Sequence, residues 1–208
     1  MRLALLGASG RIGRHVLARA LESGHDVTAL ARDPQSLAAA QRGLTVLAGD
    51  ATDSAMVAEL MTGADAVLSA LGPRGAKSPA LLASAGRNIV AGMTKAGVRR
   101  LVCVSAAGAF IQHDPDSGAL VKMILPRVLA KQFADVREME AAISASDLDW
   151  TLVRATRLVN TGLTTQYRVR PEYPPRGGWK ISRADVAHFM AAALAEDSWV
   201  RGHPALAY

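Results

Sequence analysis

A single cysteine, Cys103, stands in the chain, so an internal disulfide is impossible and a reducing compartment is expected. Aromatic residues make up only 4% of the sequence, while alanine, leucine, valine and glycine dominate. That balance favours helices packed on a buried sheet over a β-sandwich. No apolar run approaches the ~18 residues that a membrane span needs. The opening stretch, Met1 to Leu6, is too short for a signal peptide before the glycines begin. Cytoplasmic residence with no membrane partner is the resulting expectation. Five scattered histidines and the one cysteine make no metal constellation.

The residues that are abundant point to a sizeable core. Half of the 208 residues are apolar, and a chain of this length hides roughly 70% of its unfolded surface. Basic residues exceed acidic ones, 24 to 18, for a net charge of +6. Such a balance suits an anionic partner. The basic residues form no long run and are not interleaved with base-stacking aromatics, so a phosphate-bearing small molecule is expected rather than nucleic acid.

Aliphatic runs alternate with helical patterns through the first 150 residues. Strands are expected at Leu3–Leu6, Val27–Ala31, Leu44–Ala48, Ala66–Ala70, Leu101–Ser105 and Trp150–Val153. Helices are expected at Arg11–Ser23, from Asp33-Pro34 onward, and between Asp53 and Gly63. Others are expected over Pro79–Ala96, from Leu120 with an interruption at Pro126, and over Ala130–Ser144. The pattern implies an α/β fold, a doubly wound parallel sheet of Rossmann type. Residues 1–153 would form the cofactor core of one domain, and residues 154–208 a small substrate-side lobe and terminal helix. In that lobe Tyr167–Arg170 and Trp179–Ile181 suggest a hairpin, Ser182 and Asp185 a capping box opening a helix over Ala184–Ala195, and Ala205–Tyr208 an edge strand.

The first strand runs straight into Gly7-Ala8-Ser9-Gly10-Arg11-Ile12-Gly13 and then a helix. Gly7 allows the tight turn, Gly10 lets the backbone approach a diphosphate, and Gly13 lets helix and strand pack closely. The helix N-terminus offers free N–H groups to the phosphates. No Walker-type lysine comes after it, which excludes a triphosphatase of that kind. At the end of the second strand stands Arg32 before Asp33, and Asp33 has a competing task as the cap before Pro34. An acidic residue there would take a ribose 2′-hydroxyl and repel a 2′-phosphate, whereas a guanidinium grips the phosphate. NADP(H) is therefore favoured over NAD(H), the bland alternative being a solvated Arg32. Asp50, in Gly49-Asp50-Ala51, either accepts from the adenine amino group or caps its own turn. Leu71-Gly72-Pro73-Arg74 forms a wall of small residues ending in a cation.

None of the five lysines has a tyrosine four residues before it, so the Tyr–Lys acid/base pair of ordinary short-chain dehydrogenases is missing. The helical stripe Met123, Ile124, Leu125, Val128 and Leu129 reads as a lid over the acceptor, as core, or as dimer surface. Monomer and homodimer both stay open.

Together with Ser84-Ala85-Gly86-Arg87-Asn88, Cys103-Val104-Ser105, Trp150–Arg154 and Ile181–Phe189, these motifs resemble atypical short-chain dehydrogenases/reductases with an NAD(P)H-binding domain. The likeness is greatest to the biliverdin-IXβ reductase and flavin reductase type, and it covers almost the whole chain. It implies cofactor contacts at Gly7, Ser9, Gly10, Arg11, Ile12, Arg32, Asp50, Leu71, Gly72, Arg74 and Ser84, with Gly13 and Ala51 completing the loops. It places Ser105 beside the nicotinamide and Ala155, Thr156 and Arg157 along its face. The biliverdin type carries a histidine at the position of Arg157, after two prolines, which weakens a tetrapyrrole substrate more than it weakens the cofactor. The implied activity is hydride transfer to a flavin, quinone or tetrapyrrole-like acceptor. That acceptor is a small molecule, for which a negative charge would suit the arginines, and Ser105 and Arg157 are the catalytic candidates. The alternatives are an NADP(H)-sensing regulator similar to NmrA-like proteins and a nucleotide-sugar epimerase or dehydratase.

Overall fold

Aliphatic residues give β1 (Arg2–Leu6) two apolar faces: Leu3 and Leu5 enter one core, Ala4 and Leu6 the other. The computed structural model describes residues 1–37, 41–72 and 80–208. After β1 come α1 (Gly13–Glu22), β2 (Asp26–Ala31), a 3-10 turn (Pro34–Leu37), β3 (Leu44–Ala48), α2 (Ser54–Met61) and β4 (Ala66–Ser69). Next are α3 (Leu81–Ala96), β5 (Arg100–Ala106), a 3-10 segment (Ala107–His113), α4 (Ala119–Val128), α5 (Ala130–Ser144) and β6 (Asp149–Ala155). The chain closes with β7 (Arg157–Val159), β8 (Arg168–Pro171), β9 (Lys180–Ser182), α6 (Arg183–Ala195), a 3-10 turn (Asp197–Trp199) and β10 (Pro204–Ala207).

The main sheet runs β3-β2-β1-β4-β5-β6-β10-β8, parallel up to β10, with β8 antiparallel at the edge. Helices α1 and α6 cover one face, and α2, α3 and α5 the other. From β1 the chain turns first toward β2 and β3, then crosses to β4. The carboxyl ends of β1 and β4 therefore flank the switch point, where parallel α/β sheets bind ligands.

Capping obeys local chemistry where the partner is near in sequence. Asp53 accepts from the N–H groups of Ala55 and Met56, and Ser182 from that of Asp185. Helix α3 is capped from afar: buried Asp135 of α5 accepts from the N–H groups of Leu82 and Ala83 at 3.0 and 2.8 Å.

Several sequence expectations are corrected. Residues 167–170 and 179–181 form no hairpin with each other. Arg168–Pro171 pairs with Pro204–Ala207, and Lys180–Ser182 lies parallel to Arg157–Val159 in a separate two-stranded sheet. The segment at 205–207 is an interior strand, because β8 takes the edge. The helical stretch does not break at Pro126 but at Leu129, whose φ of −111° and ψ of 25° separate α4 from α5. Among the described residues, the segment after Asp33 is a 3-10 turn over Pro34–Leu37. The expected start of the third long helix at Pro79 lies outside the described residues.

Candidate functional site

The turn after β1 is built so tightly that only glycine fits at its ends. Gly7 has a φ of +79°, and a Cβ there would lie 2.8 Å from the carbonyl carbon of Ala70. A Cβ on Gly13 would lie 1.9 Å from the Gly7 carbonyl oxygen, so any other residue forces helix and strand apart. The Gly10 N–H closes the turn on the Gly7 carbonyl at 2.9 Å. Among the described residues no side chain caps α1, and its first turn carries no acidic residue. The positive end of the helix is thus left for an anion. Arg14 stitches this loop to the next, donating to the Ser9 carbonyl and to the Ser36 carbonyl, both at 3.2 Å.

Beside the turn a cleft of about 480 Å³ opens at the carboxyl ends of β1, β2 and β3. Gly7, Ser9, Arg32, Asp50, Ala51, Leu71 and Ser84 line it, seven of the residues expected from sequence. Thr52 and Arg87 line it as well, and neither is a ligand expected from sequence. Arg87 stands three residues after Ser84 on α3, so both face one way, a periodicity that could have found it. Gly10, Arg11, Ile12, Gly13 and Gly72 do not line the cleft. Arg74 lies outside the described residues.

Electrostatics at the rim are divided between a cation and an anchored carboxylate. The Arg32 side chain is 55% exposed, and its Nε lies 4.0 Å from Asp50 Oδ2, long for an ion pair. Asp50 Oδ1 accepts from the Thr52 N–H and hydroxyl at 2.9 and 2.8 Å, so the carboxylate does cap its own turn. The Thr52 N–H above all holds the Asp50 carboxyl below its ordinary range. Burial opposes this, and the Thr52 hydroxyl and Arg32 add to it. Asp33 Oδ1 accepts from the Gln35 N–H at 3.0 Å, as a cap should. Asn88 fixes the same rim by donating to the Ala51 carbonyl at 3.1 Å.

The second group of expected residues sits at the ends of β5 and β6, where Ser105 pairs with Arg154 and Ala106 with Ala155. The buried Ser105 hydroxyl donates to Glu140 of α5. Both Glu140 oxygens also accept from Arg154, through Nε at 3.2 Å and Nη2 at 2.7 Å. Arg154 extends this to the Glu172 carboxylate at 2.9 Å and lies with its Cζ 3.7 Å above the Phe110 ring. His203 stands between the two carboxylates, 3.6 Å from Glu140 and 3.0 Å from Glu172. Sequence reasoning misses this cluster. The neighbouring Cys103 thiol is pushed up to about 12, chiefly by burial, which disfavours its thiolate.

Ala155 is buried, and the Thr156 hydroxyl is tied to the Leu206 carbonyl at 2.9 Å. Arg157 makes no salt bridge among the described residues; its guanidinium stacks on exposed Trp179, 5.1 Å from the ring centre. Among the described residues no group of three or more His, Cys, Asp or Glu side chains is arranged to hold a metal ion.

Known proteins resemble this arrangement. A family model described as NAD(P)H-binding matches residues 7–197. The uncharacterized Mycobacterium tuberculosis protein Rv2047c is 35% identical over 116 residues, 55% of this chain and 12% of that protein, so the chain spans about an eighth of that relative's length. A maize isoflavone reductase homolog, IRL, is 38% identical over 80 residues, 34% of this chain and 26% of that protein. The structure of a Veillonella parvula short-chain dehydrogenase/reductase in complex with NADP superposes with a TM-score of 0.83 at 22% identity, covering 100% of this chain and 94% of that one. With its glycine turn at the switch point of a parallel sheet and a family match across nearly all its length, the chain belongs to the NAD(P)H-binding Rossmann-fold family.

Proposed function

We propose that the protein is an NADP(H)-dependent reductase acting on a flavin, quinone or tetrapyrrole-like acceptor. The observation that carries the reading is the division of labour after β2. Asp33 is occupied by the Gln35 N–H, while the Arg32 guanidinium stays half-exposed at the cleft. That end of the site suits a 2′-phosphate, since Arg32 lines the cleft and Asp33 does not. Backbone N–H groups of the Gly7 to Gly13 turn, including those of Ser9, Arg11 and Ile12, would hold the diphosphate, while Gly10, whose own N–H is spent on the Gly7 carbonyl, would let the backbone approach it. Asp50, Ala51, Leu71, Gly72 and Ser84 would line the adenosine and ribose, with Arg74 as a further cation.

When bound, the nicotinamide would supply a hydride, and the residues around it orient the ring and exclude water. The single Ser105 proton is directed to Glu140. Toward a ligand Ser105 therefore offers lone pairs, which suits accepting from the carboxamide and does not suit donating to the substrate. Ala155 and Thr156 would wall the ring, and Arg157, spread on Trp179, would draw an anionic acceptor. Flavins and quinones fit a site with no positioned acid, because their reduced anions are delocalised and take a proton from solvent. The NADP complex of the Veillonella relative and the name of the maize relative are consistent with this reading.

Ser105's commitment to Glu140 also favours a second reading, an NADP(H)-sensing regulator without turnover. Stopped-flow oxidation of NADPH with FMN or a quinone separates the two. A rate well above the protein-free blank is expected. A rate equal to the blank, with NADPH still bound, rejects the reductase and leaves the regulator.

A further inference from the structure

Helix α4 contains no buried residue. Leu120, Val121, Met123, Ile124 and Val128 are each between 46% and 70% exposed, and Leu120, Ile124 and Val128 form one row along the helix. This apolar side is no by-product of a loosely held segment. Leu125 on the helix's inner flank and Leu129 just past its end pack against the core, Leu125 reaching over Gly108. The loop before α4 is pinned to the sheet edge by Asp116, which pairs with Arg170 and Arg176 at 2.5 and 3.0 Å. The helix is thus held with its apolar row outward.

The charges carried by this stretch of chain are of one sign. Between Asp116 and Asp135 stand Lys122, Arg127 and Lys131 and no carboxylate. A second copy docking through the same face by twofold symmetry would set these cations against themselves, which disfavours self-association there. An amphipathic helix with large apolar residues and a cationic rim is the composition that lies flat in the interface of an anionic bilayer.

We infer that α4 is a peripheral docking face for an anionic lipid surface, its apolar row entering the headgroup boundary and the exposed Arg127 and Lys131 meeting the lipid phosphates. The sequence expectation of no membrane partner rests on spanning length, and a helix lying in the surface plane needs no such length. The two outward cations together should favour anionic over neutral vesicles by about thirtyfold in partition.

The test is sedimentation of the purified full chain with vesicles of phosphatidylcholine alone and of phosphatidylcholine mixed with phosphatidylglycerol. Binding to the mixed vesicles only, weakened by added salt, is expected. The substitutions Ile124→Glu and Val128→Glu should each abolish sedimentation while NADPH binding, measured by its fluorescence, is retained as proof of folding. The inference falls if the wild-type chain stays in the supernatant with anionic vesicles, or if both variants still sediment. It falls too if the wild-type chain is a dimer by light scattering that Ile124→Glu converts to monomer, since a second copy then covers the face.

Discussion

Glu140 and Arg154 are among the most deeply buried charges, with side-chain exposures of 4% and 6%. Two charges removed from water stabilise a fold only while they keep each other, so losing one partner is expected to cost far more than replacing both. Glu140→Ala should lower unfolding stability by about 3–5 kcal/mol in urea titration, while the pair Glu140→Leu with Arg154→Met should recover most of it. If the single variant is as stable as the parent, the cluster carries no such weight. At the cleft, Arg32→Ala should weaken NADPH about 10- to 100-fold in calorimetry and leave NADH nearly unchanged, the loss of one charge-assisted contact. Equal weakening of both would place Arg32 elsewhere than at the 2′-phosphate. The glycine turn, Arg32 and the capping of Asp33 are legible in the sequence because each depends on neighbours a few residues away. The Ser105–Glu140–Arg154 cluster is not, since its members lie 35 and 14 residues apart and meet only once β5, β6 and α5 have packed.

Elements behave similarly. Buried parallel strands announce themselves as aliphatic runs, and six of them can be placed to within a few residues. The segments beyond residue 155 are short, rich in arginine and proline, and have no periodicity of their own. Their pairing is set by the long-range partners they find, which is why local pattern suggests a hairpin where β8 and β9 join different sheets. Helix α3 shows the same dependence at its start, where the cap comes from Asp135, 53 residues on. Asp135→Ala should cost about 1–2 kcal/mol. In hydrogen exchange the amides of Leu82 and Ala83 should lose protection before the rest of the helix does. Unchanged protection there would mean that the carboxylate is not the cap in solution.

Asp185 ties together parts of the chain that are far apart. It accepts from the N–H groups of Thr164 and Thr165 at 3.0 and 2.9 Å, the Thr164 hydroxyl at 2.9 Å, and the Tyr208 hydroxyl at 2.5 Å. Burial alone would push its carboxyl up, but these donors outweigh burial and bring the pKa down to about 2. Its native value is below the ordinary 3.8, so the stabilisation is complete above that value and is lost as the pH falls toward about 2. The difference is worth about 2 kcal/mol. Acid titration of the unfolding free energy should show this loss, and Asp185→Asn should remove that part of the slope; an unaltered slope would assign it to other carboxylates. The order of strands at the far edge has a bearing on synthesis. β8 is spelled out before β10, yet among the described residues β10 is its partner in the sheet and separates it from β6. As the chain is made, residues 168–171 therefore wait, unpaired, until residues 204–207 have cleared the ribosome, and a chain stalled between them should be nicked there by protease while the first six strands resist.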